Sequence, residues 1–172
     1  YGVLQSKIFS SDYLQADETP IPVLTQDKPG ATHKGYHWVY YDPVKKLVLF
    51  NYQKSRGREG PDGMLENFAG YLQTDGYTAY NNLKSQVNIT HLACMAHARR
   101  KFEHALDNNQ QLAGVMMKMF GELYEVERQG REEQLTYEEL KALRQTKSKP
   151  VLEKMESWLK EHLLQVPPKS SL

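Results

Sequence analysis

The segment YHWVYYDPVKKLVLFNYQ at positions 36–53 decides the fold. It contains two runs rich in aromatic and β-branched residues, 36–42 and 47–53, on either side of the short linker PVKK. Such runs favour β-strands, and a short linker between them predicts an antiparallel hairpin. The sequence therefore places a β-sheet in the first half of the chain.

Further strand-like segments lie on both sides of this hairpin. In DYLQADETPIPVL at 12–24 we expect a short strand around Leu14–Asp17, because Pro20 and Pro22 suit a strand end or a sheet edge. YLQTD at 71–75 and VNITHLAC at 87–94 each follow a helical segment, so these two strands should pair in parallel. We predict an α/β fold with a five-stranded mixed sheet, three strands antiparallel and two parallel, flanked by helices.

The second half of the chain is predicted to be helical, starting with helices at 96–108 and 111–129. Thr136 and Glu139 have the spacing of a capping box, and Pro150 suits the first position of a last helix. The predicted buried stripe of the 111–129 helix is Leu112, Val115, Met119, Leu123 and Val126. The predicted buried face of the last helix is Leu152, Met155, Leu159 and Leu163.

Composition limits the classes of partner and compartment. The formal net charge is only +1, so contact with nucleic acid must come from local basic clusters. A single cysteine excludes an internal disulfide framework and indicates a reducing compartment, so we expect a cytoplasmic protein. The longest apolar runs, such as LVLF at 47–50, are too short to span a bilayer, and we expect no membrane partner.

Two aspartates, Asp17 and Asp75, end short apolar strands. If those strands are neighbours, the carboxylates converge and could bind Mg²⁺ or Mn²⁺, which prefer oxygen ligands and can catalyse phosphodiester cleavage in pairs. The alternative is a simple turn or cap, the usual role of an aspartate before glycine. Because neighbouring side chains on a strand point to opposite faces, we expect Asp17 to face inward and Glu18, an accessory candidate, to face outward.

Basic residues form two candidate DNA-binding clusters: Arg99, Arg100 and Lys101 in one, and Lys54, Arg56 and Arg58 in the other. Phosphate contacts from such clusters supply affinity that does not depend on sequence, although a charge run is more often a solvated face. His97 follows Cys94 in a C-x2-H pattern that would need two more ligands to bind zinc. We expect Cys94 to be structural and His97 to be an accessory residue near a helix N-terminus.

Several separated motifs resemble the IS66 family of bacterial insertion-sequence transposases. They are ADETPIPVL at 16–24, YLQTDGYTAYNNL at 71–83 and HLACMAHARRKFEHAL at 91–106, with supporting matches at GYHWVYYD (35–42) and ELYEVER (122–128). The resemblance covers nearly the whole chain. It implies a ribonuclease-H-like DDE catalytic core, an enzyme that acts on transposon-end DNA.

By position, the resemblance makes Asp17 and Asp75 the first two catalytic acids and ligands of a two-metal Mg²⁺ or Mn²⁺ site. The family's third acid lies in an Asn-Asn-x-x-Glu-Arg-like motif that this sequence lacks. We expect that acid beyond Leu172 in a longer parent enzyme, and we expect residues 1–172 alone to be inactive. Residues 1–172 would form a partial core, with the sheet and its helices at about 12–108, a helical extension at about 109–166 and a coil-like PPKSSL tail.

The function implied by the resemblance is DNA transposition through metal-dependent phosphodiester hydrolysis and strand transfer. The expected partners are transposon-end and target DNA, together with further copies of the protein in a transposition complex. Two alternatives remain open, a ribonuclease-H-like nuclease and a non-catalytic DNA-binding or assembly module.

Overall fold

The structure is a computed structural model that describes residues 1–25, 28 and 30–166 of the chain. The PPKSSL tail predicted as coil lies outside the described residues. The chain forms two compact units, Tyr1–Cys94 and Met95–Leu172. Within the described part of the chain, no helix is both long enough and apolar enough to cross a membrane.

The first unit contains the predicted five-stranded mixed sheet. Its elements in chain order are α1 (Gly2–Phe9), β1 (Tyr13–Leu24), β2 (Thr32–Asp42), β3 (Leu47–Gln53), α2 (Glu59–Leu65), β4 (Gly70–Thr74), a 3₁₀ helix (Thr78–Ser85) and β5 (Ile89–Ala93). The strand order is β3-β2-β1-β4-β5. β1, β2 and β3 pair antiparallel, whereas β4 pairs in parallel with both β1 and β5, which confirms the predicted ribonuclease-H-like fold class.

β1 is longer than predicted and runs straight through Pro20 and Pro22. Both prolines lie opposite β2 residues, Tyr36 and Lys34, in the antiparallel ladder. The parallel pairing with β4 covers only Tyr13–Gln15, so the β4 side of β1 carries no paired strand where the prolines occur. A proline lacks an N–H but is tolerated on such an edge, which explains why the strand does not end there.

One face of the sheet packs against helices to form the core of the first unit. The fully buried core side chains include Trp38 and Tyr40 from β2, Leu14 from β1, Leu72 from β4 and Tyr80 from the 3₁₀ helix. Trp38 and Tyr80 meet edge to face with ring centroids 5.7 Å apart. This core packs against both β1, which contains Asp17, and β4, which directly precedes Asp75.

The second unit is helical, as predicted. Its elements are α3 (Met95–Ala105), α4 (Gln110–Glu132), α5 (Tyr137–Leu143), a π-helical turn (Arg144–Ser148), α6 (Lys149–His162) and a terminal 3₁₀ turn (Leu163–Gln165). Thr136 caps α5 in a complete capping box with Glu139. Pro150 lies in the first turn of α6, where the missing N–H is not needed.

The predicted buried faces of α4 and α6 are partly wrong. α4 buries Met119 and Val126 as predicted, but Val115 is exposed and Met116 and Phe120 lie in the core instead. The residues of α6 that pack into this core are Met155, which is buried, and the half-buried Val151 and Trp158. The predicted α6 residues Leu152, Leu159 and Leu163 are exposed. Both sets of positions have helical spacing, and tertiary packing of the large aromatic side chains selects between them.

Candidate active site

Asp17 lies within β1, and Asp75 directly follows the neighbouring parallel strand β4. Gln15 of β1 pairs with Gln73 of β4, and each aspartate is two residues further along its chain. Because side chains repeat with a period of two and adjacent strands lie about 4.8 Å apart, this register directs both carboxylates to the same side of the sheet. This register is compatible with the predicted convergence of the two acids, which stays a prediction.

Glu18 points to the opposite side of β1, but the predicted directions are exchanged. The Glu18 side chain is 2% exposed, while Asp17 is exposed. Glu18 lies on the side of β1 that carries Leu14 and Ala16, both buried core residues, so the expectation that it faces outward is wrong. The reason is that the core extends beneath the middle of β1, where Trp38 is the cross-strand neighbour of Glu18.

Backbone amides hold both aspartates. The N–H of Glu18 donates to Asp17 Oδ1 at 2.9 Å, and the N–H of Tyr77 donates to Asp75 Oδ1 at 2.8 Å. The second contact forms an Asx turn at the end of β4, where the strand gives way to the 3₁₀ helix. Thus the turn role proposed for an aspartate before glycine is present at Asp75, and it also orients the carboxylate.

Arg56, on the loop after β3, connects the surroundings of the two aspartates. Its Nε donates to Glu18 Oε1 at 2.7 Å, and its Nη2 contacts the same oxygen. Its guanidinium carbon lies 3.9 Å from the centroid of the Tyr77 ring, and Tyr77 Oη donates to the Arg56 carbonyl oxygen at 2.9 Å. Arg56 therefore contacts the residue after Asp17 and the residue two places after Asp75.

The surroundings of Glu18 shift the pKa of its carboxyl group in opposite directions. Burial raises the pKa of Glu18, the hydrogen bond and charge of Arg56 lower it, and the negative charges of Asp75 and Asp17 raise it. The net effect is a pKa above the ordinary value. Because both aspartates contribute to this shift, three carboxylates share one electrostatic environment with a single arginine.

The donors at this site are carboxylate oxygens, which suit Mg²⁺ or Mn²⁺ rather than softer metals. Asp17 and Asp75 supply two carboxylates, a number that a magnesium site commonly takes from a protein. Across residues 1–25, 28 and 30–166, no group of three or more histidine, cysteine, aspartate or glutamate side chains is arranged to hold a metal ion. The residues present therefore fit a two-carboxylate contribution to an oxygen-rich site.

The remaining predicted residues belong to the loop after β3, to the end of β5 and to α3. Lys54 is exposed on the same loop as Arg56. Cys94 is a half-buried free cysteine directly after β5. His97 is half-buried in the first turn of α3, as expected for a residue near that helix N-terminus.

The cluster Arg99–Lys101 also lies on α3, but its residues differ in their contacts and exposure. The guanidinium of Arg99 is 3.0 Å from the Glu103 carboxylate, one helical turn away. Arg100 and Lys101 are exposed. Arg99 is therefore already engaged in an ion pair within the helix.

Sequence reasoning missed the part played by Tyr77 and the link between Arg56 and Glu18. The Asp-Gly-Tyr sequence at 75–77 is a turn signal that could have predicted the amide contact to Asp75. No local pattern predicts the Arg56–Glu18 pair, because its two residues are 38 positions apart.

Comparison with known proteins identifies the family of the chain. The family described as "Transposase IS66 family" matches all of residues 1–172. The chain belongs to the IS66 transposase family. The resemblance inferred from the separated motifs is thereby confirmed.

Curated relatives of this IS66 chain include two uncharacterized proteins of Sinorhizobium fredii. Protein y4hP is 30% identical and y4jD is 31% identical, each across 92% of this chain. The aligned regions make up 32% and 33% of those relatives, so the chain spans about a third of the length of the curated relatives it matches.

A similar solved structure is a chain of the "simian T-cell lymphotropic virus intasome in complex with PP2A regulatory subunit B56 gamma", determined by cryoEM. It has 14% identity and a TM-score of 0.32, over 76% of this IS66 chain and 46% of that chain.

Proposed function

We propose that this chain carries two of the catalytic carboxylates of a DNA transposase, Asp17 and Asp75. The proposed reaction is hydrolysis of a phosphodiester at a transposon end, followed by attack of the freed 3′-hydroxyl on target DNA. The observation that supports this proposal is the parallel register of β1 and β4, whose last pair, Gln15 and Gln73, lies two residues before each aspartate. Membership in a transposase family supplies the reaction class.

Asp17 and Asp75 would hold Mg²⁺ or Mn²⁺ through their carboxylate oxygens. When bound, such ions supply charge stabilisation for the phosphodiester and for the attacking oxygen. The chain's own task is positioning, since displacement at phosphorus demands mainly correct placement and electrostatic support. The amides of Glu18 and Tyr77 serve that task by fixing one oxygen of each aspartate. A third carboxylate, implied by the family resemblance, is not assigned to any residue of this chain.

DNA is the proposed partner, with transposon ends and target as its two forms, and several copies of the protein in the transposition complex. The exposed Arg100 and Lys101 on α3 are the favoured phosphate contacts. Arg99 and Lys54 are weaker candidates, because Arg99 is already paired with Glu103 and Lys54 lies on a loop.

The proposal is tested by titrating residues 1–172 with Mn²⁺. Electron paramagnetic resonance of the free ion measures the affinity. Asp17→Asn and Asp75→Asn should each weaken binding about tenfold or more, equivalent to about 1.4 kcal/mol. Glu66→Gln, an exposed acid at the end of α2, is the matched control and should leave the affinity unchanged.

Equal Mn²⁺ affinity in the wild type and both asparagine variants would refute the metal site. If DNA binding persisted in that case, the alternative of a non-catalytic DNA-binding or assembly module would replace the proposal.

A further inference from the structure

We propose that Arg56 is a positioning residue that clamps β1 at Glu18 to the turn after β4 and thereby fixes Asp17 relative to Asp75. This inference rests on the proposed function and assigns a role to three side chains outside the aspartate pair. The clamp consists of Arg56, Glu18 and Tyr77. None of the three is proposed to touch the reacting atoms.

The contacts form a closed bridge between the two aspartates. On the β1 side, two guanidinium nitrogens of Arg56 contact Glu18 Oε1, and the Glu18 N–H donates to Asp17. On the β4 side, the Arg56 guanidinium stacks on the Tyr77 ring, and the Tyr77 N–H donates to Asp75. Each of the two partners of Arg56 therefore donates its own backbone amide to one of the two candidate metal ligands.

Arg56 is held at two points, which restricts its loop as well as its side chain. The Tyr77 ring contacts the Arg56 guanidinium. The Tyr77 hydroxyl also restrains the Arg56 backbone, because its Oη donates to the Arg56 carbonyl oxygen at 2.9 Å. Arg side chains form such planar and stacked contacts better than lysine does. A displacement of Arg56 would thus be transmitted to β1 at Glu18 and to the turn after β4.

Stability alone does not account for the ion pair. Glu18 is 2% exposed, and its Oε2 has no hydrogen-bond partner among the described residues. Trp38 Nε1 and Tyr80 Oη, both from the core beneath β1, are likewise buried without a partner in the described part of the chain. A buried charge with incomplete hydrogen bonding stabilises a fold less than apolar packing would. Positioning is therefore the better explanation for a carboxylate at this place.

Mn²⁺ affinity distinguishes positioning from a simple effect of charge. Arg56→Gln removes a positive charge near a cation site, so a purely electrostatic role predicts tighter Mn²⁺ binding. Positioning predicts the reverse, about tenfold weaker binding, as for the loss of other groups that orient metal ligands. Arg58→Gln is the matched control, because Arg58 lies on the same loop, is 65% exposed and pairs with Asp62 instead.

Arg56→Gln alone would leave the Glu18 carboxylate unpaired in the core, so a double variant replaces that carboxylate as well. Glu18→Gln with Arg56→Gln removes one charge of each sign, so the net charge of the site is unchanged. Positioning predicts weakened Mn²⁺ binding in this variant too, together with wild-type circular dichroism.

Amide hydrogen exchange, measured by NMR without metal, supplies the readout that does not depend on the proposed function. The amides of Glu18 and Tyr77 should exchange about tenfold faster in both variants, while the Val44 amide, which donates to Asp42, should not change.

Unchanged exchange at Glu18 and Tyr77 would overturn the clamp. Faster exchange with unchanged or tighter Mn²⁺ binding would overturn its role at the metal site. If the wild type itself bound no Mn²⁺, the proposed function would fail, and exchange would still decide whether Arg56 orders the two aspartates.

Discussion

Gly60 of α2 lies against the indole of Trp38, so closely that a Cβ atom on Gly60 would be 2.7 Å from Trp38 Nε1. Trp38 is fully buried and is the cross-strand neighbour of Glu18. The absence of a side chain at position 60 therefore lets α2 approach the sheet beneath the candidate active site.

Gly60→Ala should lower the free energy of unfolding of the first unit by about 1–3 kcal/mol, because the added methyl group overpacks a filled core. Urea unfolding monitored by the fluorescence of Trp38, in a Trp158→Phe background, measures the change. The control is Gly63→Ala in the same helix, where a Cβ would meet nothing within 4 Å. That variant should gain about 0.5–1 kcal/mol, and equal stability of the two alanine variants would contradict the packing argument.

Gly70→Ala should disturb the register of β1 and β4. Gly70 has φ +142°, and its Cβ would lie 2.5 Å from the Asp12 carbonyl oxygen, which accepts the N–H of Tyr71. We expect a loss of at least about 2 kcal/mol in urea unfolding from strain and overlap together. Gly30→Ala separates the two effects, since Gly30 has φ +79° but open space around it. A similar loss in both variants would show that the contact with Asp12 is unimportant.

Asp42 should make the stability of the first unit depend on pH. Burial raises the pKa of Asp42, but hydrogen bonds from Ser11 and from the amides of Lys45 and Val44, together with the charge of Lys45, outweigh burial and lower it. A lowered pKa means that the stabilisation is fully present above the ordinary value of 3.8 and is lost as pH falls through the folded-state pKa.

The variant Asp42→Asn should therefore be less stable than the wild type by about 1.5–3 kcal/mol at pH 7. The difference should shrink once the pH falls below 3.8. Urea titrations at pH 7, 5 and 3 measure it, with Asp107→Asn in the exposed turn after α3 as a control. A difference that stays constant down to pH 3 would count against the assigned hydrogen bonds.

Thr136→Ala should fray α5 by removing the capping box. The Thr136 side chain accepts the N–H of Glu139, and the Glu139 carboxylate accepts the N–H of Thr136. Loss of such a cap costs about 1 kcal/mol, which should appear as faster hydrogen exchange of the α5 amides. Thr136→Ser keeps the hydroxyl and should exchange at the wild-type rate, so fraying in that variant as well would point to a cause other than capping.

DNA affinity should depend more on Arg100 and Lys101 than on Arg99. Replacing either exposed residue by glutamine should reduce the slope of log affinity against log salt by about 1, because one phosphate contact is lost. Arg99→Gln should change the slope less, since Arg99 is already paired with Glu103. Fluorescence anisotropy with duplex DNA across a salt series measures all three, and equal slopes for every variant would exclude α3 from the DNA interface.

Much of the fold follows from local pattern. The hairpin of 36–53 and the Thr136 cap appear as predicted, because strand propensity and capping depend on residues close in the chain. The extent of β1 was not predictable in this way. Pro20 and Pro22 end a strand only when their missing N–H groups would face a partner, and pairing with β4 stops at Gln15.

The sequence by itself singled out Asp17 and Asp75 as candidate catalytic acids, and strand periodicity places Glu18 on the opposite side from Asp17. Only the tertiary structure decided that Glu18 is the buried member of that pair and that Arg56 joins it to Tyr77. The physical reason is that a local pattern specifies alternation but not which face becomes the core. That choice, like the contact between residues 38 positions apart, depends on how the whole unit packs.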